Sequence, residues 1–364
     1  MKKKTLFIFT IGWILLNMML SGCNGILSPT IYESSPTKIK YDISYGYLIN
    51  STGTGRYEIT YQCYTPDVLI GTTTYQLLNN KEYQTKTLLN NTFIQWNISG
   101  QNNQTYELGL IAHIESKSYL VPDLKGENAL TTEQIISMHP DIIHHYTRLQ
   151  ANETIRFIDP YNSNITAIAQ TIQQNSRTNN SFLLAKALFV WLKENVEYQT
   201  HQEDEAVQPA ATTLYNKTGD CDDLSFLYIS LCRSLSIPAR LIRGFLLTNY
   251  ENGTVVAIRH AWVEVFVGES VGNNGWIPVE CACCTTSIET DIHQNFGVEN
   301  AFHLRLFVDD GSNASLASLL SRISYITYGL NRSIELQLFA EIQNYQELEL
   351  KNLVITNGKN RYYE

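Results

Sequence analysis

The sequence has few positive charges and few cysteines for its size. Its 364 residues carry 26 Lys and Arg against 35 Asp and Glu, a net charge of −9, and no basic run follows the first few residues. This charge balance argues against nucleic acid as a partner. Seven cysteines are too few for a disulfide scaffold in a chain of this length, so each needs its own explanation. We find no internal repeat, no low-complexity tract and no nucleotide, haem or flavin motif. We therefore predict no cofactor, with a calcium site as the alternative.

The N-terminal segment lacks a hydrophobic run long enough to cross a bilayer. Its apolar run from Leu6 to Leu20 follows three lysines and is shorter than the roughly 20 residues of a spanning helix. The order of charges, apolar run and small residues predicts a secretory signal over residues 1–23. Leu20-Ser21-Gly22-Cys23 resembles the lipobox of lipoproteins, which implies lipidation at Cys23; an uncleaved anchor helix is the alternative. We therefore expect a protein at the extracellular face of the membrane, lipid-anchored or secreted.

Glycosylation sequons also fit an exported glycoprotein, although some arise by chance in a chain rich in Asn and Thr. They begin at Asn50, Asn90, Asn97, Asn103, Asn152, Asn164, Asn179, Asn216, Asn252, Asn313 and Asn331.

Changes in hydrophobic periodicity divide the rest of the chain. Residues 24–125 contain short period-two segments rich in Tyr, Ile and Thr, separated by Gly and Asn, which predict an antiparallel β-sandwich. Residues 126–160 predict a helical connector, residues 161–310 an α+β domain, and residues 311–364 a C-terminal extension with a small β element. We interpret the histidines of the connector as surface residues rather than metal ligands: His139, His144 and His145.

A cysteine lies among three aspartates in the stretch from Gly219 to Asp223. Asp220 is a good N-cap, which makes Cys221 the first residue of a helix that must end before Pro238. The free N–H groups and the dipole at a helix start lower the pKa of a thiol, whereas each following acid opposes this by on the order of 1 kcal/mol at about 7 Å. An imidazolium at about 4 Å stabilises the thiolate by on the order of 4 kcal/mol, so we expect a neighbouring histidine to keep the pKa of Cys221 low.

His260 is the candidate neighbour. Strand alternation places His260, Trp262 and Glu264 on one face of a predicted strand. A helix lying on this sheet can bring Cys221 over His260, and Glu280 of the next predicted strand is the acid available to orient the imidazole. We interpret Glu264 as a solvated or Arg-paired residue. Asp223 is expected to pair with an arginine of the sheet, either Arg240 or Arg243.

Four motifs resemble the transglutaminase-like superfamily, which shares papain-type Cys-His-Asp chemistry. They are, in chain order, Gly219-Asp220-Cys221-Asp222-Asp223, Ile237-Pro238-Ala239-Arg240, His260-Ala261-Trp262-Val263-Glu264 and Trp276-Ile277-Pro278-Val279-Glu280. The resemblance covers roughly residues 160 to 310 and implies a papain-like α+β core, in which the helix carrying the cysteine packs on an antiparallel sheet. A β-rich front followed by such a core also resembles prokaryotic surface members of the group.

The resemblance also implies the roles of the site residues. Cys221 would be the nucleophile, His260 the base and then the acid, and Glu280 the group that orients the imidazole. The family usually has Asp at the third position, and Glu280 keeps the charge on a longer side chain. Supporting positions in the motifs are Gly219, Asp220, Asp223, Trp262 and Trp276.

These roles imply thiol acyl transfer on amide bonds. We favour a cysteine peptidase or amidase that hydrolyses protein or cell-wall (iso)peptides, while a lysine amine in place of water would make a crosslinking transglutaminase. The competing hypothesis is a noncatalytic surface module that uses the same scaffold for binding or adhesion.

The remaining cysteines have other interpretations. Cys232 lies on the same helix about 16 Å from Cys221, too far for a disulfide, and is predicted to be a core residue. Cys281-Ala282-Cys283-Cys284 has no standard zinc spacing. Disulfides within this cluster or to Cys63, or buried thiols, are the alternatives. Pairing would fix the loop that carries Glu280.

Overall fold

The computed structural model describes residues 28–88, 91–200, 207–250, 253–282, 285–316, 321–329 and 331–364. The predicted signal with Cys23, the sequons at Asn90 and Asn252, and both Cys283 and Cys284 lie outside these ranges. Within them, no helix is long and apolar enough to cross a membrane.

Two four-stranded antiparallel sheets share a hydrophobic core and form the sandwich at the front of the chain. The first sheet consists of β19 (Ser333–Lys351), β2 (Ser35–Thr52), β7 (Gln104–Lys117) and β4 (Gly71–Leu77), in that order. The second consists of β18 (Ser321–Tyr328), β3 (Arg56–Tyr64), β6 (Asn91–Gly100) and β5 (Gln84–Leu88). Period-two alternation explains the core, because inward-facing residues such as Ile39, Tyr41 and Ile43 are fully buried.

Strands β18 and β19 lie in the segment predicted as a C-terminal extension. Each is an edge strand of the sandwich instead, since β18 pairs along β3 and β19 along β2. Pairing satisfies the backbone N–H and C=O groups that an edge would expose, and such long-range pairing leaves no local signal. The chain then ends in a small sheet of β1 (Thr30–Ile31), β20 (Leu353–Thr356) and β21 (Asn360–Tyr363).

The connector contains α1 (Thr132–Met138), α2 (Pro140–Tyr146) and a short hairpin of β9 (Gln150–Ala151) and β10 (Arg156–Ile158). His144 and His145 are exposed on α2, in agreement with the surface interpretation. His139 is more buried, and its ring lies edge-on to that of Phe266 with 4.9 Å between centroids.

The α+β core combines helices with a four-stranded antiparallel sheet, which confirms the predicted fold class. The sheet order is β15 (Trp276–Val279), β14 (Val255–Phe266), β13 (Ala239–Asn249) and β17 (His303–Val308). The helices are α3 (Ser163–Ser176), α4 (Ser181–Asn195), α5 (Ala210–Asn216), α6 (Cys221–Ser234), α7 (Ile288–Asn295) and the short α8 (Asn313–Leu316). Two small pairings complete it: β8 (Tyr119–Leu120) with β16 (Val298–Glu299), and β11 (Glu197–Tyr198) with β12 (Thr218–Gly219).

Helix α6 packs on the face of β14 that was not expected. The apolar stripe of α6 consists of Leu224, Leu227 and Leu231. These leucines share one core cluster with the β14 residues of opposite parity to His260: Ala261, Val263 and Val265. The apolar face of the sheet takes the apolar stripe of the helix because this removes both from water. Helix α4 is capped by Asn180, whose side chain accepts the N–H of Leu183.

Candidate active site

The start of α6 is built as the sequence predicts. Asp220 caps the helix by accepting the Asp222 N–H at 3.2 Å, and Asp223 returns the bond by accepting the Asp220 N–H at 3.1 Å. A side chain at position 219 would put its Cβ 2.6 Å from the Cβ of Asp223, so only glycine fits there. Cys221 is the first helical residue and is partly exposed.

The aspartates beside the cysteine have different partners from those expected. The pairing of Asp223 with a sheet arginine is wrong: Asp223 is fully buried and accepts the backbone N–H of Gln208 at 2.7 Å. It points towards the segment that precedes α5, away from the sheet. Asp222 is the residue that faces Arg243, with 3.7 Å between Oδ1 and Nε.

Cys221, His260 and Glu280 come together in space. His260 Nε2 lies 2.7 Å from Glu280 Oε2, and the His260 ring also makes a side-chain hydrogen bond with Cys221. Because Nε2 faces the carboxylate, Nδ1 is the ring nitrogen left for the sulfur. Both His260 and Glu280 are buried. The extra methylene of Glu280 therefore does not prevent the contact with the imidazole.

The two tryptophans of the motifs lie in different surroundings. Trp262 stacks on His260 with 5.8 Å between ring centroids, and its Nε1 donates to Glu299 Oε2 at 2.8 Å. Trp276 instead lies beneath the guanidinium of Arg240, whose Cζ is 3.9 Å from the ring centroid. Of the two, Trp262 is thus the one in direct contact with the imidazole.

A buried charge network holds the strands of this face together. Glu264 accepts from Arg240 at 2.6 Å and from Arg305 at 2.7 Å, which agrees with the Arg-paired interpretation. Arg305 also donates from Nε to Glu299 Oε1 at 2.8 Å. Burial alone would raise the pKa of Glu264, but the two guanidinium groups lower it to about 2.

His303 on β17 is a further residue of the site that the sequence motifs do not include. Its Nε2 lies 3.2 Å from Glu280 Oε2, and its Nδ1 lies 2.8 Å from Asn300 Oδ1. The residue lies beyond the four motifs, and only the alternation of His303-Leu304-Arg305 could have placed it on a strand face with Arg305. Together, His260, Glu280 and His303 each offer one atom within 4.8 Å of the others, a donor set that could hold a divalent cation such as Zn²⁺.

Burial dominates the electrostatics of the cysteine. It raises the pKa of the Cys221 thiol above its ordinary value; the hydrogen bond and charge of His260 oppose this, while Asp222 and Asp220 add to it. The expectation that the helix start and His260 keep this pKa low is therefore wrong, because the cost of burying a thiolate outweighs them.

The histidine and the glutamate are shifted in opposite directions. Burial lowers the pKa of His260, but the charge of Glu280 and the hydrogen bonds with Cys221 and Glu280 raise it to about 10. Burial likewise raises the pKa of Glu280, but His260 and then His303 hold it well below its ordinary value. The pair is thus an imidazolium bound to a carboxylate at neutral pH.

Three other cysteines are buried free thiols: Cys63, Cys232 and Cys281. Burial raises the pKa of both Cys63 and Cys232 to about 12, and that of Cys281 well above its ordinary value. Cys232 is a core residue as predicted. A disulfide of Cys281 does not fix the loop at Glu280; Lys193 Nζ donates to the carbonyl oxygen of Cys281 at 2.8 Å instead.

A cysteine at a helix start, hydrogen-bonded to a strand histidine that is oriented by an acid, defines a papain-type thiol site. Residues 166–281 match the family model of the transglutaminase-like superfamily core. The match lies within the region where the sequence motifs resemble the family.

Individual known proteins are similar to this chain over different lengths. The chain is 32% identical over 106 residues to the uncharacterized protein YebA of Bacillus subtilis (strain 168). The matched region covers 27% of this chain and 13% of the length of that relative. A crystal structure from Cytophaga hutchinsonii, provisionally described as a cysteine protease, superposes with a TM-score of 0.53 at 14% identity over 93% of this chain and 100% of that one. The periplasmic domain of TgpA from Pseudomonas aeruginosa gives a TM-score of 0.34 at 12% identity over 69% of this chain and 93% of that domain.

Proposed function

We propose that the protein is a thiol-dependent acyl-transfer enzyme that cleaves amide bonds with Cys221, His260 and Glu280. The observation that carries the proposal is the continuous contact from the sulfur through the imidazole to a carboxylate 2.7 Å away. The contact stands at the start of a helix, in the region that matches the family model of the transglutaminase-like superfamily core.

The geometry supports a two-step reaction. The Cys221 thiol first gives its proton to solvent, and the thiolate, beside the His260 imidazolium, attacks the amide carbonyl carbon. The resulting oxyanion accepts the Cys221 N–H, which belongs to the first turn of α6 and has no partner within the helix. The C–N bond then breaks, the amine leaves with the proton from the His260 imidazolium, and a thioester remains. Water then gives a proton to the neutral His260 and attacks the thioester, which releases the acid and restores the thiolate and the imidazolium.

Substrate class and location are part of the same proposal. A protein at the extracellular face of the membrane, held by a lipid on Cys23 or by an anchor, would meet surface proteins and cell-wall (iso)peptides in bulk water. Water then outcompetes amines for the thioester, which favours hydrolysis. Crosslinking becomes the outcome where a lysine amine reaches the thioester first.

The state of the cysteine favours a second candidate, a noncatalytic binding or adhesion module. Burial raises the pKa of the Cys221 thiol above its ordinary value, which disfavours the thiolate at neutral pH. Binding requires no thiolate, and the scaffold alone would suffice.

One experiment separates these functions. The wild-type protein, Cys221→Ala and the control Cys232→Ala, whose thiol is buried in the same helix, are incubated with a peptide library, cell-wall peptides and a fluorescent primary amine. Mass spectrometry would show new peptide termini for a hydrolase, or glutamyl–amine adducts for a transglutaminase, in the wild type and Cys232→Ala only. No product with wild-type protein, together with retention of a peptide on the protein, would refute the enzyme and support the binding module.

A further inference from the structure

We propose that His303 is a positioning residue of the site, whose imidazole holds the Glu280 carboxylate in place so that Glu280 can orient His260. The inference rests on the proposed function, and it explains how a glutamate serves where the family usually has the shorter aspartate. It assigns a role to a residue outside all four sequence motifs.

The carboxylate of Glu280 is held at both oxygens. Oε2 faces the Nε2 atoms of His260 at 2.7 Å and of His303 at 3.2 Å. Oε1 accepts the backbone N–H of Ala282 at 2.8 Å. A glutamate has one more rotatable bond than an aspartate, so its carboxylate can move more. The three hydrogen bonds hold the Glu280 carboxylate in one position.

The orientation of His303 is itself determined. Its Nδ1 faces Asn300 Oδ1 at 2.8 Å, and the same Oδ1 accepts the Phe302 N–H at 3.1 Å. The backbone N–H identifies this amide atom as the oxygen, so Nδ1 of His303 must donate. Nε2 faces the Glu280 carboxylate, whose oxygens only accept. A hydrogen bond to an ionised carboxylate is charge-assisted, and such bonds are roughly twice as strong as neutral ones.

Packing prevents the ring from turning away. His303 is 4% exposed. Its ring centroid lies 4.7 Å from that of Trp262 and 5.7 Å from that of His260. Because Trp262 is fixed by Glu299, the three rings and the carboxylate form one rigid unit behind Cys221.

Hydrogen bonding and cation binding would compete for the same atoms of His260, Glu280 and His303. A metal ion would need a free lone pair on each Nε2 atom, whereas both Nε2 atoms here face the same carboxylate oxygen at hydrogen-bond distance. The two arrangements exclude each other, so metal binding is an outcome that the test must include.

The test compares His303→Ala and His303→Gln with His293→Gln in the full-length protein. His293 is a matched control because it is also a buried imidazole with a side-chain partner, Tyr32 Oη at 2.8 Å, outside the site. We expect the alkylation rate of Cys221 at neutral pH to fall about 10- to 100-fold in His303→Ala, as the loss of a hydrogen bond to a charged group implies. The fall should be smaller in His303→Gln, whose side-chain amide can still donate to Glu280. The rate should stay unchanged in His293→Gln. In a Glu280→Gln background, His303→Ala should have no further effect, because its partner is gone.

A second readout does not depend on reactivity. NMR should show a downfield ring N–H proton for His260 that is held on Glu280 in the wild type and is lost to exchange with water in His303→Ala. If Cys221 shows no dependence on His260 while this signal behaves as stated, the proposed function fails and the positioning role stands. The role is refuted if folded His303 variants leave the His260 signal and the alkylation profile unchanged, or if the wild type binds one Zn²⁺ that His303→Ala abolishes.

Discussion

Replacing Glu280 with Gln should destabilise the protein in a way that depends on pH. The substitution keeps the shape of the side chain but removes the charge that faces His260 at 2.7 Å. Breaking a buried charge pair costs about 3–5 kcal/mol. Glu280 is 7% exposed, so solvent offers little compensation and we expect a loss of stability within this range.

The pKa shifts give the pH window. The pKa of Glu280 lies below its ordinary value of 4.5, so its contribution is present above that pH and is lost as the pH falls further. The pKa of His260 rises from 6.5 to about 10, so its contribution is full below 6.5 and is lost as the pH rises through about 10. The stability difference between wild type and Glu280→Gln should therefore be largest between pH 4.5 and 6.5 and should shrink as the pH rises towards about 10.

Urea unfolding followed by circular dichroism across this pH range measures the difference. Glu264→Gln is the matched control, since Glu264 is also buried but is paired with Arg240 and Arg305. Arginine stays charged throughout this range, so the cost of this control should stay level. A cost of Glu280→Gln that is equally level from pH 6.5 to 10 would refute the coupling between Glu280 and His260.

Three further predictions concern the start of α6 and the thiols. Gly219→Ala should lower the free energy of unfolding by about 1–3 kcal/mol in urea titrations, because the new Cβ would meet Asp223 at 2.6 Å; an unchanged midpoint would contradict the close approach. Asp222→Asn should speed alkylation of Cys221 at neutral pH, since the charge of Asp222 raises the pKa of this thiol; slower alkylation would contradict that sign. Brief alkylation of the native protein should label Cys221 well ahead of the buried thiols Cys63, Cys232 and Cys281. Peptide mapping of the urea-unfolded protein, in which all four thiols should react, is the control.

Local rules predicted the parts of the site that depend on neighbouring residues. Capping preference placed Cys221 at the first helical position, and strand parity placed His260 and Trp262 on one face. The β-rich front was predicted from the period-two alternation of strands, and the α+β core from this alternation together with the 3.6-residue periodicity of helices. The family motifs added the pairing of His260 with Glu280 that spacing alone could not establish.

Contacts between distant segments were beyond these rules. The partner of Asp223 proved to be Gln208 in the segment before α5, while Asp222 is the acid of the helix start that faces the sheet at Arg243. His303 meets Glu280 only through the pairing of β17 with β13, and β18 and β19 join the sandwich over long chain separations. The pKa of Cys221 depends on burial, which a sequence pattern does not reveal.

The pH dependence of Cys221 alkylation in the wild type and in His260→Ala tests the central claim most directly. Peptide mass spectrometry of the full-length protein would follow this cysteine alone. His260 lowers the pKa of the Cys221 thiol through its hydrogen bond and charge, so we predict that His260→Ala moves the midpoint of the profile to higher pH and slows labelling at neutral pH. Coincident profiles in two equally folded proteins would show that His260 does not act on the sulfur, and would contradict the account.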